Sequence, residues 1–273
     1  MKFVIDHDYH LHSHLSPCAN DPLQTPENML KWAEGNGLKA ICLTDHFWDE
    51  AIAPLNGYLS GTYRNNGYAR NSQALPLPRS EKTAFYFGCE GEMDYAFRIG
   101  ISPERMKDLA FVIIPTTHMH MRRMTVPEGI TLAQRAVLFT HRLNALLDSP
   151  ILPEGKTGIA HLVCSLIAPE HWEDHLRVME MIPDDVLYDQ FRRAKARNFG
   201  VELNLEMKKY APEELQTVLR PFFIAKECGC KFYLGSDAHT SAELSGAMEN
   251  FGRMIDALDL SEDQKYHPLF KEI

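Results

Sequence analysis

The chain has no run of about 18 apolar residues, the length a membrane-spanning helix requires. Ahead of Asp6 it has only Lys2 and the short apolar run Phe3-Val4-Ile5, too little for a secretory signal, so a cytoplasmic protein with no membrane partner is expected. Its 6 cysteines include no C-x-x-C pair, and spread over 273 residues they make no disulfide framework; reduced thiols are expected. Positive charge is in short supply, with 28 Lys and Arg against 37 Asp and Glu and a net charge of −9. That balance disfavours a nucleic-acid backbone as partner, since such binding needs a basic surface. Any anionic ligand must therefore be attracted locally, and bound metal ions are a common source of local positive charge. Repeats, low-complexity tracts and linkers are also missing. With 45% hydrophobic and 24% charged residues, the composition is that of a globular protein, and one domain over 1–273 is expected.

Histidine is abundant, and it is concentrated. The stretch "DHDYHLHSHLSP", Asp6 to Pro17, holds His7, His10, His12 and His14, 4 of the chain's 13 histidines. On a strand, side chains alternate between faces, so His10, His12 and His14 would share one side. Neutral imidazole is the commonest protein metal ligand, and converging ring nitrogens suit zinc, iron or manganese. A solvated histidine cluster is the alternative, and the rest of the chain must decide.

Apolar, strand-forming runs alternate with helical patterns. Strands are expected at Phe3–His10, Lys39–Thr44, Ala84–Cys89, Phe111–Thr116, Gly158–Val163, Val201–Leu205 and Lys231–Gly235, seven in all. Thr25-Pro26-Glu27 is a capping residue followed by proline at the first helical position. Ser102-Pro103-Glu104 reads the same way. Further helices are expected at Thr131–Asp148, Glu170–Met181, Asp184–Asn198, Pro212–Cys228 and Ser241–Leu258, with Pro221 kinking or splitting the fourth of these. Strands alternating with helices imply parallel pairing through right-handed crossovers. The expected fold class is α/β, a distorted seven-stranded TIM-like barrel. The segment 49–82, with Gly57, Gly61, Asn65-Asn66 and Gly67, breaks the rhythm and reads as a long loop over one mouth.

Barrels of this kind carry their chemistry at the C-terminal ends of strands. Six of the seven candidates end there in His, Asp or Glu: His10 and His12; Asp45 and His46; Glu90, Glu92 and Asp94; His118 and His120; His161; Asp237 and His239. Buried polar groups must be satisfied and are rare, so this recurrence points to one site. Glu92 and Asp94 read as supporting or surface groups, Cys42 as core, and His14 and His120 as weaker candidates. His171 and His175 do not make a working zinc-protease helix, because the glutamate is misplaced; they read as a solvated face.

In their order, "DYHLHSHLS", "LTDH", "GCE", the strand-four histidine, "AHL" and "GSDAH" resemble the polymerase and histidinol phosphatase (PHP) superfamily of metal-dependent phosphoesterases over residues 8–239. The resemblance implies a distorted seven-stranded barrel and two to three divalent ions, whether zinc, manganese or iron. It implies His10, His12, Glu90 and Asp237 around the first ion, with Glu90 bridging to a second held by His118 and His161, and His46 and His239 on a third. At the place where the family commonly supplies a further His or Asp, this chain has Cys18, with Asp21 nearby as the alternative.

The resemblance implies hydrolysis of a small phosphate monoester by a metal-bridging hydroxide. L-histidinol phosphate is the named candidate and a nucleotide an alternative. Asp45 and Glu90 are the expected catalytic residues, Asp45 as an orienter or proton donor. Arg122 and Arg123 are candidates for gripping the small phosphorylated metabolite. An amidohydrolase or deaminase is the rival enzyme, but it wants a strand-four lysine and a lone final aspartate. A non-catalytic metal-binding module would be expected to lose ligands.

Overall fold

A computed structural model describes residues 1–61, 63 and 67–270; Asn65, Asn66 and the last three residues lie outside the described set. The described chain is mixed α/β with parallel sheets. Its strands are β1 (His7–Leu11), β2 (Ala40–Leu43), β3 (His46–Phe47), β4 (Ala84–Phe87), β5 (Cys89–Gly91), β6 (Val112–Pro115), β7 (Thr157–Ala160), β8 (Gly200–Leu203) and β9 (Lys231–Leu234). Its helices are α1 (Pro26–Gly35), α2 (Tyr68–Asn71), α3 (Leu132–Asp148), α4 (Trp172–Glu180), α5 (Asp184–Ala196), α6 (Pro212–Glu227) and α7 (Ser241–Ala257).

The strands form two sheets, in the orders β1-β2-β4 and β3-β5-β6-β7-β8-β9. The expected strand Ala84–Cys89 is broken at Gly88 into β4 and β5, and the expected strand Lys39–Thr44 appears as β2, with β3 starting beyond its expected end. Between β2 and β3, Thr44 exchanges hydrogen bonds with Leu11, its N donating to Leu11 O at 2.8 Å and its Oγ1 accepting from Leu11 N at 3.0 Å. Between β4 and β5, Gly88 passes so close to its neighbours that a Cβ would lie 2.3 Å from Phe111 O. The far edges also meet: Asp237 N donates to His10 O at 2.9 Å and His12 N to Ala238 O at 3.1 Å.

The Thr25 capping signal holds, and two further long helices carry caps of the same kind. Thr25 Oγ1 accepts from Asn28 N at the start of α1, and Thr131 with Gln134 and Thr240 with Glu243 form capping boxes on α3 and α7. Two expectations are corrected. Ser102-Pro103-Glu104 opens only a 3-10 turn at Arg105–Lys107: Ser102 Oγ does accept from Arg105 N at 3.3 Å, but the chain dives into the core at Leu109 and Ala110 before a longer helix forms. Pro221 does not split α6; burial of Val218, Leu219, Phe222 and Ile224 holds it continuous through the proline. Inside the fold, Tyr9, Phe111, Ile113, Tyr233 and Tyr266 form a buried, mainly aromatic cluster separate from the main core.

Candidate metal centre

His10 and His12 stand at and just beyond the end of β1, both fully buried. His46 opens β3 and Glu90 lies in β5, directly paired in register. His118, His161, Asp237 and His239 follow the ends of β6, β7 and β9. His161 and Asp237 adopt left-handed backbone angles, φ 44° and 55°. Non-glycine residues rarely adopt this conformation, and it concentrates where function fixes geometry. Here both side chains end up among the other ligand candidates. All eight expected ligand residues therefore come together.

Glu90 is the centre of this group and is fully buried. Its Oε2 faces His46 Nδ1 at 2.6 Å, His12 Nε2 at 3.5 Å and His10 Nε2 at 3.7 Å, while Oε1 faces His118 Nε2 and His161 Nδ1, both at 3.6 Å. One carboxylate thus divides five imidazoles into two sets. Asp237 makes a second junction: Oδ1 is 3.0 Å from His12 Nε2 and 3.2 Å from His10 Nε2, and Oδ2 is 3.2 Å from His161 Nε2.

An outer layer aims these rings. Glu202 Oε1 accepts from His10 Nδ1 at 2.6 Å and its Oε2 from His161 N at 2.9 Å, which turns His10 Nε2 inward. Glu92 Oε2 accepts from His118 Nδ1 at 2.9 Å and from the Tyr63 hydroxyl at 3.0 Å. Its other oxygen accepts from Arg142 Nη2 at 3.0 Å, and the fully buried guanidinium also donates to the carbonyls of Met93, Pro115 and Thr116. Asp45 accepts from Ser13 N at 2.7 Å and Ser13 Oγ at 2.6 Å, with Oδ1 3.8 Å from His12 Nδ1. With both oxygens engaged, Asp45 is built to position its neighbours.

Glu202, Tyr63 and Arg142 escaped the sequence reading. Glu202 is an acid among apolar strand residues, a signal that was available. Tyr63 comes from the irregular 49–82 segment, whose Asn71 also donates to His46 O at 3.1 Å, and nothing in its spacing announced it. Glu92 takes the supporting place expected of it. Asp94 instead closes a turn, accepting from Ala96 N, Arg98 N and Arg98 Nε.

The electrostatics follow from burial set against charge. Burial alone would raise Glu90 and Asp237, yet the charges of His46 and His118 hold Glu90, and those of His10 and His161 hold Asp237, well below the usual carboxylate range. Burial and the charges of His239 and His46 push His12 well down, keeping it neutral. Burial raises Asp45 to about 6, against the opposing pull of its hydrogen bonds from Ser13 and of the charge of His46.

His10 Nε2 and His12 Nε2 face each other at 3.0 Å, but most of the short approaches around Glu90 and Asp237 do not amount to hydrogen bonds. Both oxygens of Glu90, both ring nitrogens of His161, His12 Nδ1 and Asp237 Oδ1 are buried without a hydrogen-bonding partner among the described residues. Such atoms are costly unless something else meets them. Three sets each gather donor atoms within 4.8 Å of one another, the span of one cation: His10, Glu90 and His161; His10, His12 and Asp237; His12, His46 and His239. Imidazole and carboxylate together suit zinc, iron or manganese, so the residues present fit a metal cluster.

Other candidates fall elsewhere. Arg122 is largely exposed, its closest acid Glu170 at 3.9 Å, and Arg123 lies over the Tyr58 ring at 4.7 Å. Neither lines the cleft of about 620 Å³ that opens beside His161, Asp237 and His239, whose walls include Trp172, Asn204, Lys208, Lys209, Tyr210 and Asn250. His14 is exposed, its ring against Gln24 O. His120 is partly buried, lowered to about 4 by burial and by the charge of His118. The solvated-face reading of His171 and His175 holds for His171, but His175 is fully buried against Trp172 and Tyr210, because α4 turns that face toward the cleft wall. Cys42 is core, as expected, and all six cysteines are free.

No family model and no curated protein matches this chain. Solved structures do: the chain has a histidinol-phosphatase-like fold. One of them is the histidinol phosphate phosphatase of Lactococcus lactis, whose crystal structure holds zinc, L-histidinol and phosphate, with a TM-score of 0.58 and 17% identity over 95% of this chain and 98% of that one. At such identity the likeness establishes the fold alone. An uncharacterized protein at 10% identity, TM-score 0.41, covering 97% of this chain and 71% of that one, is too distant to argue from.

Proposed function

We propose that the chain is a metal-dependent phosphoesterase that hydrolyses a small phosphate monoester. The observation that carries this reading is the set of buried, unpartnered Glu90, Asp237, His12 and His161 atoms beside an open cleft. In this reading His10, His12, Glu90 and Asp237 hold one divalent ion, Glu90 with His118 and His161 a second, and His46 and His239 a third. Bound there, zinc, manganese or iron supplies Lewis acidity toward a phosphoryl oxygen and lowers the pKa of water. Glu90 is the bridging residue, and Asp45 keeps the Ser13 turn and His12 in place. Glu202 and Glu92 fix the ring orientations of His10 and His118, so the site is organised before substrate arrives.

Two further points belong to the same reading. The two sheets are one distorted seven-stranded barrel, opened locally at Thr44 and Gly88 and closed by the bonds between the β1 end and residues 237–238. The domain is single, and the 49–82 insertion covers the mouth through Tyr63 and Asn71. L-histidinol phosphate is the first substrate to try, because the solved structure of similar fold holds L-histidinol and phosphate. The cleft, with its aromatic, amide and charged walls, is of a size for such a metabolite.

The test is metal analysis of the purified protein, followed by a panel of phosphomonoesters with added manganese, zinc or iron. L-histidinol phosphate and nucleoside monophosphates belong on the panel, beside aminated substrates. Two or more ions per chain and metal-dependent phosphate release are expected. At most one ion at saturation, or deamination without phosphate release, overturns the reading.

A further inference from the structure

The sequence left Cys18 and Asp21 as alternative completions of the third site, and the structure separates them. Asp21 is engaged elsewhere: Oδ1 accepts from Leu23 N at 2.8 Å, and Oδ2 accepts from Ser241 N at 2.9 Å and Ser241 Oγ at 2.6 Å, at the first turn of α7. Cys18 is brought back over the end of β1 by two successive turns, Ser16 N to Ser13 O at 2.9 Å and Ala19 N to Ser16 O at 3.0 Å. The residue is exposed, but its thiol is turned toward the His239 and His46 rings, with Sγ also 3.2 Å from Ser16 Oγ.

Behind the thiol lies an independent sign of a ligand. His12 is fully buried, its Nδ1 has no partner among the described residues, and its ring stacks on His239 at 4.1 Å and lies 4.5 Å from His46. These three imidazoles already form one of the sets able to hold a cation. Adding sulfur changes the chemistry of that set. The sets around Glu90 and Asp237 offer nitrogen and oxygen, which manganese, iron and zinc all accept; a thiolate favours zinc and other thiophilic ions over manganese and magnesium.

We propose that the Cys18 thiolate is a ligand of the third site together with His46 and His239, and that it makes this site selective for a thiophilic ion while the other two also take manganese. The inference rests on the metal-centre reading above. Binding replaces the thiol proton by the metal and releases that proton to solvent. The soft site is thereby placed at the exposed rim, and the harder ones in the interior.

Cobalt(II) added to the chelator-stripped full chain is the probe. The parent protein should show thiolate-to-cobalt charge-transfer absorption in the near ultraviolet, and Cys18→Ser should lose that absorption and about one equivalent of tightly held zinc while keeping its manganese. Cobalt absorption of equal strength in Cys18→Ser, or unchanged zinc content, overturns the proposal. Alkylation of Cys18 by iodoacetamide in the parent protein, followed by peptide mass, keeps the test decisive should the variant misfold: protection by zinc but not by manganese supports the proposal, and equal labelling overturns it. Failure of the underlying reading looks different, because the parent would then bind no more than one cobalt ion and Glu90→Gln would leave that uptake unchanged.

Discussion

His7 and His10 leave the same short strand three residues apart and meet opposite fates. His7 has a partner for each nitrogen: Nδ1 donates to Asp6 Oδ1 at 2.8 Å and Nε2 accepts from Leu234 N at 3.0 Å. Around it the cluster closes on itself, with the Lys265 ammonium 3.1 Å from both oxygens of Asp6 and 2.6 Å from Glu262 Oε1. The His10 cluster, equally buried, leaves six nitrogen and oxygen atoms of Glu90, His161, His12 and Asp237 without hydrogen-bonding partners among the described residues. Both regions are dense in charge and histidine. What separates a structural network from a ligand site is whether the protein itself completes the hydrogen bonds.

That comparison breaks most visibly at Glu90. Glu90→Gln keeps the shape but removes the negative charge facing five imidazoles. Metal content should fall by more than one ion, and turnover on the order of a thousandfold. Activity within about twofold of the parent in a folded, metal-replete variant would show that the His10 cluster is merely another structural network.

Glu202→Gln probes the outer layer. It keeps a hydrogen-bonding oxygen but loses the charge that holds His10 Nε2 inward, so metal affinity or activity should drop about 10- to 100-fold. Binding isotherms for zinc check this, and an unchanged affinity would leave Glu202 a purely structural acid.

At the other cluster the effects should exchange. Lys265→Met removes the one ammonium between Asp6 and Glu262, both partly exposed, and should cost about 1–3 kcal/mol of stability with metal content and turnover intact. Urea unfolding beside metal analysis reads both quantities. Loss of metal with no loss of stability would erase the distinction between the two regions.

The smallest effect is in pH. Burial would raise Asp6, but hydrogen bonds from His7 and Lys265 bring it from the ordinary 3.8 down to about 2. A depressed carboxylate stabilises the fold above its ordinary value, and that stability is lost as pH falls through the folded one. Between about pH 4 and 2 the parent should therefore lose stability more steeply than Lys265→Met. Parallel acid limbs in the two proteins would mean that the pair is not coupled to folding.

The candidate ligands were legible because ligation needs particular residue types and strands impose regular spacing: His-x-His, Asp45-His46, Glu90 and Asp-x-His each end a run of apolar residues that reads as a strand. Cap chemistry at Thr25-Pro26 located α1 for the same local reason. The sequence by itself thus determined the alternation of strands and helices and which side chains had the chemistry to ligate. Tertiary structure alone decided what surrounds them. Glu202, Arg142 and Tyr63 act through partners 192, 50 and 29 residues away, distances at which sequence periodicity carries no information. Only the folded chain could show that His7 is satisfied and His161 is not, that Asp21 is engaged at α7 while Cys18 faces the rings, and that Arg122 and Arg123 lie off the cleft. Local pattern specifies the donors, but satisfaction of a buried polar atom is a property of everything packed around it.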